Sequence, residues 1–202
     1  STMFTLDLGD KFDTSNVTNM YGMFEAVGSN STSFVLNLGS KFDTSKVTNM
    51  SEMFWSVGRN SNNLSLNLGD KFDTSNVTDM NNMFAQIGRF STNFVLDLGD
   101  KFDTSNVTNM SAMFAYAGYT SPTFSLNLGN KFNTNNVIDF SGSGAIYENA
   151  SASAYNVGIF YYTGYNNSVF ELDLSLADFS NATRYDNMFY DWKTTQKIYV
   201  KD

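Results

Sequence analysis

Residues 41–54 read KFDTSKVTNMSEMF. The same phrase opens at Lys11 (KFDTSNVTNM), Lys71 (KFDTSNVTDM) and Lys101 (KFDTSNVTNM). It returns in decayed form at Lys131 (KFNTNNVIDF), so the spacing is 30 residues throughout. A period of roughly 20–50 residues marks a stacked-repeat architecture, in which each unit buries its apolar face against its neighbours. Function in such proteins lies on an extended surface and not in one compact cleft.

Working outward from that phrase, Phe34, Leu36 and Leu38 alternate with Val35 and Asn37, the two-residue period of a half-buried strand. Glycine follows each strand at 9, 39, 69, 99 and 129, where a tight bend or a positive φ is expected. Within the phrase, Phe42 reads as an inward anchor and Asp43, Thr44 and Ser45 as N-cap residues. Val47, Met50, Met53, Phe54 and Val57 fall at i, i+3, i+6, i+7 and i+10, which predicts one face of a helix of about three turns. Gly58 stands where a left-handed C-cap belongs. Val-Thr-Asn is poor helix material, so the helix is expected to be short or partly 3₁₀ and held by packing.

Strands stack about 4.8 Å apart, whereas helices need about 8–10 Å between axes. The expected fold is therefore an α/β repeat solenoid. Each 30-residue unit would supply one parallel strand on the concave side and one short helix on the convex side, and the stack would be curved. One solenoid domain spans 1–202, with units 4–33, 34–63, 64–93, 94–123, 124–169 and a C-terminal cap unit 170–202. The unit opening at Phe124 is 46 residues long, 16 more than the period. Gly164 precedes Phe170 by six residues, as Gly118 precedes Phe124, and Phe160 matches Phe114. The insertion is thus placed at about 141–159. The last unit keeps its strand, Phe179 and Met188-Phe189 but loses the lysine and the DTS triplet, and KIYVKD at Lys197–Asp202 reads as a closing strand.

The chain carries a formal net charge of −8. A phosphate backbone would be repelled, which argues against nucleic acid as a partner. Anionic membrane surfaces are disfavoured for the same reason. Cysteine and histidine are both absent, which removes disulfides, thiolate zinc, thiol catalysis and the commonest general base. No apolar run approaches the roughly 20 residues of a membrane helix, so no direct membrane insertion is expected. No signal peptide opens the chain, and Ser1 lies directly before strand-like residues, which reads as a piece of a longer protein. No cofactor is implied.

The phrase FDTSxVTxMxxMF, preceded by a short LxL strand, occurs four times intact. It closely resembles the BspA-like leucine-rich repeat of bacterial surface proteins and mycoplasma-type lipoproteins. The resemblance is strong from Phe4 to Phe140 and weaker from Phe160 to Phe189. It implies a leucine-rich-repeat-like solenoid outside a cell, a role in adhesion or host interaction, and no shared catalytic motif. The unit here is longer than that family's usual length, and the insertion is a further departure.

Several columns carry candidate chemistry. Met20, Met23, Met50, Met53, Met80, Met83, Met110 and Met113 offer thioethers for a soft metal, but their helical spacing beside Phe and Val reads as core. Asp7, Asn37, Asn67, Asp97, Asn127 and Asp173 form an outward strand column. It is read either as a ligand-contacting row, with weak calcium binding, or as a solvated face bonded along the stack. Beside it runs a mixed column containing Val35 and Val95. The lysines at 11, 41, 71, 101 and 131 are read as neutralised by Asp13, Asp43, Asp73 and Asp103. No carboxylate pair is singled out from the repeated ones, so no catalytic residue, and no metal site, is assigned.

Positions just after the helical core and in the loop vary freely between units. There the large aromatics Trp55, Phe90, Tyr116 and Tyr119 stand, with Tyr147 and Tyr155 in the insertion and Tyr161, Tyr162 and Tyr165 after it. Tyrosine with Ser, Gly and Asn is a recognition composition; covering the end of the core is the alternative use of these rings. The expectation is an extracellular, cell-surface binding module that attaches to a host or matrix protein or a glycan without catalysis. Contacts would come from the concave residues Val35, Asn37, Asn67, Val95, Asp97 and Asn127 and from the aromatic surface. A spacer without its own ligand is the alternative, and a polysaccharide-acting enzyme a weaker one.

Overall fold

The computed structural model describes residues 2–143 and 156–200. It is a parallel β-solenoid of about six turns. Strands β1 (Met3–Asp7), β2 (Ser33–Asn37) and β3 (Asn63–Asn67) form one sheet, and β4 (Val95–Asp97) pairs with β5 (Ser125–Asn127). The register is the sequence period, with Leu6, Leu36 and Leu66 side by side. Strands β6 (Ser141–Ser143) and β7 (Asn156–Gly158) are antiparallel, while β8 (Glu171–Leu174) and β9 (Lys197–Val200) are parallel.

The helix expected in each unit is absent: the described residues contain none. An α-helix sends every N–H to the carbonyl four residues back. Here the donors alternate between two partners. Met53, Trp55, Val57 and Arg59 donate three residues back, to Met50, Glu52, Phe54 and Ser56. Met50, Glu52, Phe54 and Ser56 donate instead to Asp79, Asn81, Met83 and Ala85 of the next coil, at 2.8–2.9 Å. The segment is a chain of tight turns that also forms an inter-coil ladder. Glu52, Ser56 and Gly58 have φ of +58°, +58° and +53°, which breaks any helical run. A non-glycine residue there costs about 1–2 kcal/mol, and the ladder bonds it sets up offset that cost.

The inward face was nevertheless legible. Val47, Met50, Met53, Phe54 and Val57 are fully buried, as are Met80, Met83, Met110 and Met113, so these methionines are core. Turns that return a side chain inward every three or four residues imitate helical periodicity. Both walls now climb by backbone ladders, so the spacing mismatch that put the strands on a concave side is gone.

The core is organised by phenyl columns. Phe24, Phe54, Phe84, Phe114, Phe160 and Phe189 stack with centroids 5.3–5.7 Å apart and ring planes within 11°. The column passes directly from Phe114 to Phe160, 46 residues on, and β6 pairs with β7 just before Phe160. Phe114 N–H donates to Ile159. A second column, Phe94, Phe124 and Phe170, runs behind the strands.

Polar residues hold the corners. Asp43 Oδ1 accepts from Ser45 N–H, and Asn49 Oδ1 from Ser51 N–H; the pattern repeats in neighbouring coils. These caps close turns, where the sequence predicted a helix start. Buried Thr44 donates its Oγ1 to Asp73 C=O at 2.7 Å and accepts from Asp73 N–H at 2.7 Å, and Thr74 and Asp103 do the same. In the last unit Asp178 and Ser180 still form the turn, at 2.9 Å. The DTS triplet is thus DFS, with Phe179 where the bridging threonine would stand. Phe179 packs edge-on against Phe140 and ends the threonine ladder.

Candidate functional site

The strand-face column is engaged along the stack. Asn37, Asn67, Asp97 and Asn127 each accept from the N–H of the glycine two residues on, at 3.0–3.2 Å. Asn37 Nδ2 reaches Asp7, Asn67 Nδ2 reaches Asn37 and Asn127 Nδ2 reaches Asp97, at 3.0–3.4 Å. These side chains pin strand ends and bridge coils. Val35 is half-buried and Val95 is 61% exposed. The lysine column meets carboxylates of the preceding coil: Lys71 lies 4.0 Å from Asp43 and Lys131 3.9 Å from Asp103. Hydrogen bonds from the Ser45 hydroxyl and N–H hold the Asp43 carboxyl below its ordinary pKa.

The variable positions come together at one corner. Phe90 lies between Arg59 and Arg89, with the guanidinium carbons 5.0 and 5.1 Å from its ring centre. Arg89 is buried and stacks on Tyr116 at 4.3 Å and Tyr119 at 5.2 Å. Gln86 Oε1 accepts from Arg59 Nε at 3.0 Å and Arg89 Nη1 at 3.3 Å, which fixes both. Tyr116 stacks on Tyr162, Tyr119 on Tyr165 and Tyr161 on Tyr190, at 4.8–5.1 Å, and Lys193 Nζ sits 4.5 Å from the Tyr165 ring centre. The result is one strip of cations and rings that crosses from the second coil to the sixth. Trp55 is half-buried beside it, against a patch containing Ala85 and Ala115. Tyr147 and Tyr155 lie outside the described residues.

This geometry sets what the strip presents. Ring faces are largely taken by neighbouring rings and cations, so the outward parts are ring edges and hydroxyls. Ring edges carry the positive end of the aromatic quadrupole. Burial first, and then the nearby Asp191 carboxylate, push the Tyr162 phenol well above its ordinary pKa, so it stays a neutral donor. Among the described residues no three His, Cys, Asp or Glu side chains gather as a metal site. Sequence reasoning missed Tyr190, Lys193 and the stacking of Arg89. Aligning the last unit on Met188-Phe189 places Tyr190 in the column of Trp55, Ala85, Ala115 and Tyr161, a signal that was available.

The repeat array has a family match. Residues 1–69, 58–159 and 100–201 match the family described as "Mycoplasma protein of unknown function, DUF285". The chain belongs to this family. The three overlapping matches tile the repeats from one end of the array to the other, including the coils that carry the strip. No curated protein and no solved structure gives a match. DUF285 membership therefore assigns the repeat architecture and leaves the ligand to be argued from the surface.

Proposed function

We propose that this solenoid is an extracellular binding module of a bacterial surface protein of the BspA-like kind, attaching to a host or matrix protein or a glycan. The observation that supports this reading is the corner strip of Arg59, Phe90, Arg89, Tyr116, Tyr119, Tyr162 and Tyr165. Tyrosine and arginine are, with tryptophan, the residues enriched at binding hot spots. Because ring faces are occupied, the strip favours a protein partner, met by edges and hydroxyls, over sugar rings that need open faces.

The test measures binding to a panel of immobilised matrix proteins and host glycans. Tyr119→Ala with Tyr162→Ala is expected to weaken attachment by about 30-fold, the equivalent of one hot spot of about 2 kcal/mol. The matching Phe pair keeps the stacking and separates folding from hydroxyl contacts. Wild-type attachment by both pairs would remove the strip from the site. The reading as a spacer is favoured by the polar columns, whose side chains bond along the stack, and it stands if the wild-type chain attaches to nothing.

A further inference from the structure

The strand wall is not closed at every junction. Leu8 N–H donates to Asn37 at 3.0 Å, Leu38 to Asn67 at 3.2 Å and Leu98 to Asn127 at 3.0 Å. The equivalent Leu68 N–H makes no such bond to the fourth coil, and the first sheet ends at β3 while the next begins at β4. Between these coils a cavity of about 350 Å³ opens, lined by Leu68, Asp70, Phe72, Leu98, Asp100 and Lys101.

The glycine bends report the same gap independently. A Cβ placed on Gly39, Gly69 or Gly129 would stand 1.9, 3.0 or 2.3 Å from the carbonyl oxygen of the preceding glycine, whereas one on Gly99 meets nothing within 4 Å. On the opposite wall the same two coils remain joined. Phe84 N–H donates to Met113 at 2.9 Å and Gln86 N–H to Ala115 at 2.7 Å. Thr74 Oγ1 still bonds Asp103. The strands still meet at their starts, through the Asn63–Asn93 bridge and the Thr92 N–H bond to Asn62 at 3.2 Å, so the coils are parted at the strand ends and hinged on the opposite wall.

Two sequence features coincide with this junction. The residue before each lysine is Asp10, Ser40, Asp70, Asp100 and Asn130 in turn, so only here do two carboxylates follow one another in the column. At strand spacing, about 4.8 Å, directly opposed like charges repel. Lys101 reaches across the gap, its Nζ donating to the Asp70 carbonyl. In addition, Leu64 interrupts the column of Phe4, Phe34, Phe94, Phe124 and Phe170, so a ring is missing beside the gap. The smaller opening between β5 and β8 has a different origin: it follows the long fifth unit and a turn one residue shorter, 173 to 178 against 127 to 133.

We propose that the junction between the third and fourth coils is a charge-held joint. Asp70 and Asp100 keep the strand wall parted about a hinge formed by the turn wall, and neutralising either carboxylate closes it. The angle between the two halves of the solenoid then responds to cations or to a basic partner surface.

Amide hydrogen exchange on the whole chain tests this, with Leu38 and Leu98 as internal standards. In the wild type Leu68 N–H is expected to exchange at least about tenfold faster than both, as an amide outside a cooperative ladder does. Asp100→Asn and Asp70→Ser, the residues already found at this column position in other coils, are each expected to bring Leu68 to within about threefold of Leu98. Wild-type Leu68 protection equal to that of Leu38 would overturn the open joint. Fast exchange at Leu68 in both variants would overturn charge as its cause.

Discussion

Gly118→Ala is expected to destabilise the array by about 2–5 kcal/mol, the sum of a left-handed alanine and an overpacked core. Gly118 has φ +56°, and a Cβ on it would stand 2.2 Å from Phe124 Cγ. No rotamer of Phe124 relieves this, because the ring is fully buried and stacked between Phe94 and Phe170. The contact recurs at Gly28 with Phe34 and at Gly88 with Phe94; the six-residue spacing seen in the sequence is thus a seat for a ring. Gly99→Ala is the control. It carries the φ penalty of about 1–2 kcal/mol alone, since nothing lies within 4 Å of its Cβ. Urea titration of both variants reads the difference. Loss should begin near the fourth coil, because repeat stacks need not unfold as one unit. Equal midpoints for the two variants would show that the seat is not what constrains Gly118.

Phe84→Ala is the second large effect, at about 4 kcal/mol or more. Truncating a buried phenylalanine costs about 3–5 kcal/mol through lost transfer energy and the cavity left behind. Three aromatic contacts go with it, stacked on Phe54 at 5.3 Å and Phe114 at 5.7 Å and tilted against Phe102 at 6.1 Å, each worth about 0.5–1.5 kcal/mol. Phe189→Ala, at the half-buried end of the same column with one stacked neighbour in it, is expected to cost about half as much. Thermal unfolding of the pair measures the ratio. A Phe189→Ala loss as large as that of Phe84→Ala would mean that the column does not act as the spine of the core.

Much of this fold was legible in the sequence. The 30-residue period gave strand register, the spacing of Phe114 and Phe160 located the insertion, and the apolar positions from Val47 to Val57 gave the inward face. The helix was misread for a physical reason. Inward side chains at positions 47, 50, 53, 54 and 57 fit a helix and a chain of tight turns equally well. Only the inter-coil partner of each N–H distinguishes them, and a single unit cannot show it. The weak helix propensity of Val-Thr-Asn was the one local sign. Asp43-Thr44-Ser45 reads as a helix N-cap, but with no helix to cap Asp43 closes a tight turn onto Ser45 and Thr44 bonds the backbone of another coil.

The strip was partly legible. Variable positions singled out Trp55, Phe90, Tyr116 and Tyr119, and the structure brings them to one corner. Their mutual stacking depends on ring orientation across neighbouring coils, which the register of Phe160 and Phe189 alone does not give. The strand column looked available in sequence because Asx turns onto Gly39 or Gly129 are not visible as hydrogen bonds until the bend is seen. The joint at Asp70 and Asp100 was not anticipated, since two acidic residues 30 positions apart look like ordinary repeat variation.

The wall opposite the strands is built of tight turns laddered between coils. Through-hydrogen-bond scalar couplings measured by NMR read each of those rungs. The structure predicts a coupling between the Phe84 amide nitrogen and the Met113 carbonyl carbon, and likewise between Phe54 and Met83. A coupling from Phe84 to Met80, four residues back, would mean a helix and would contradict the account.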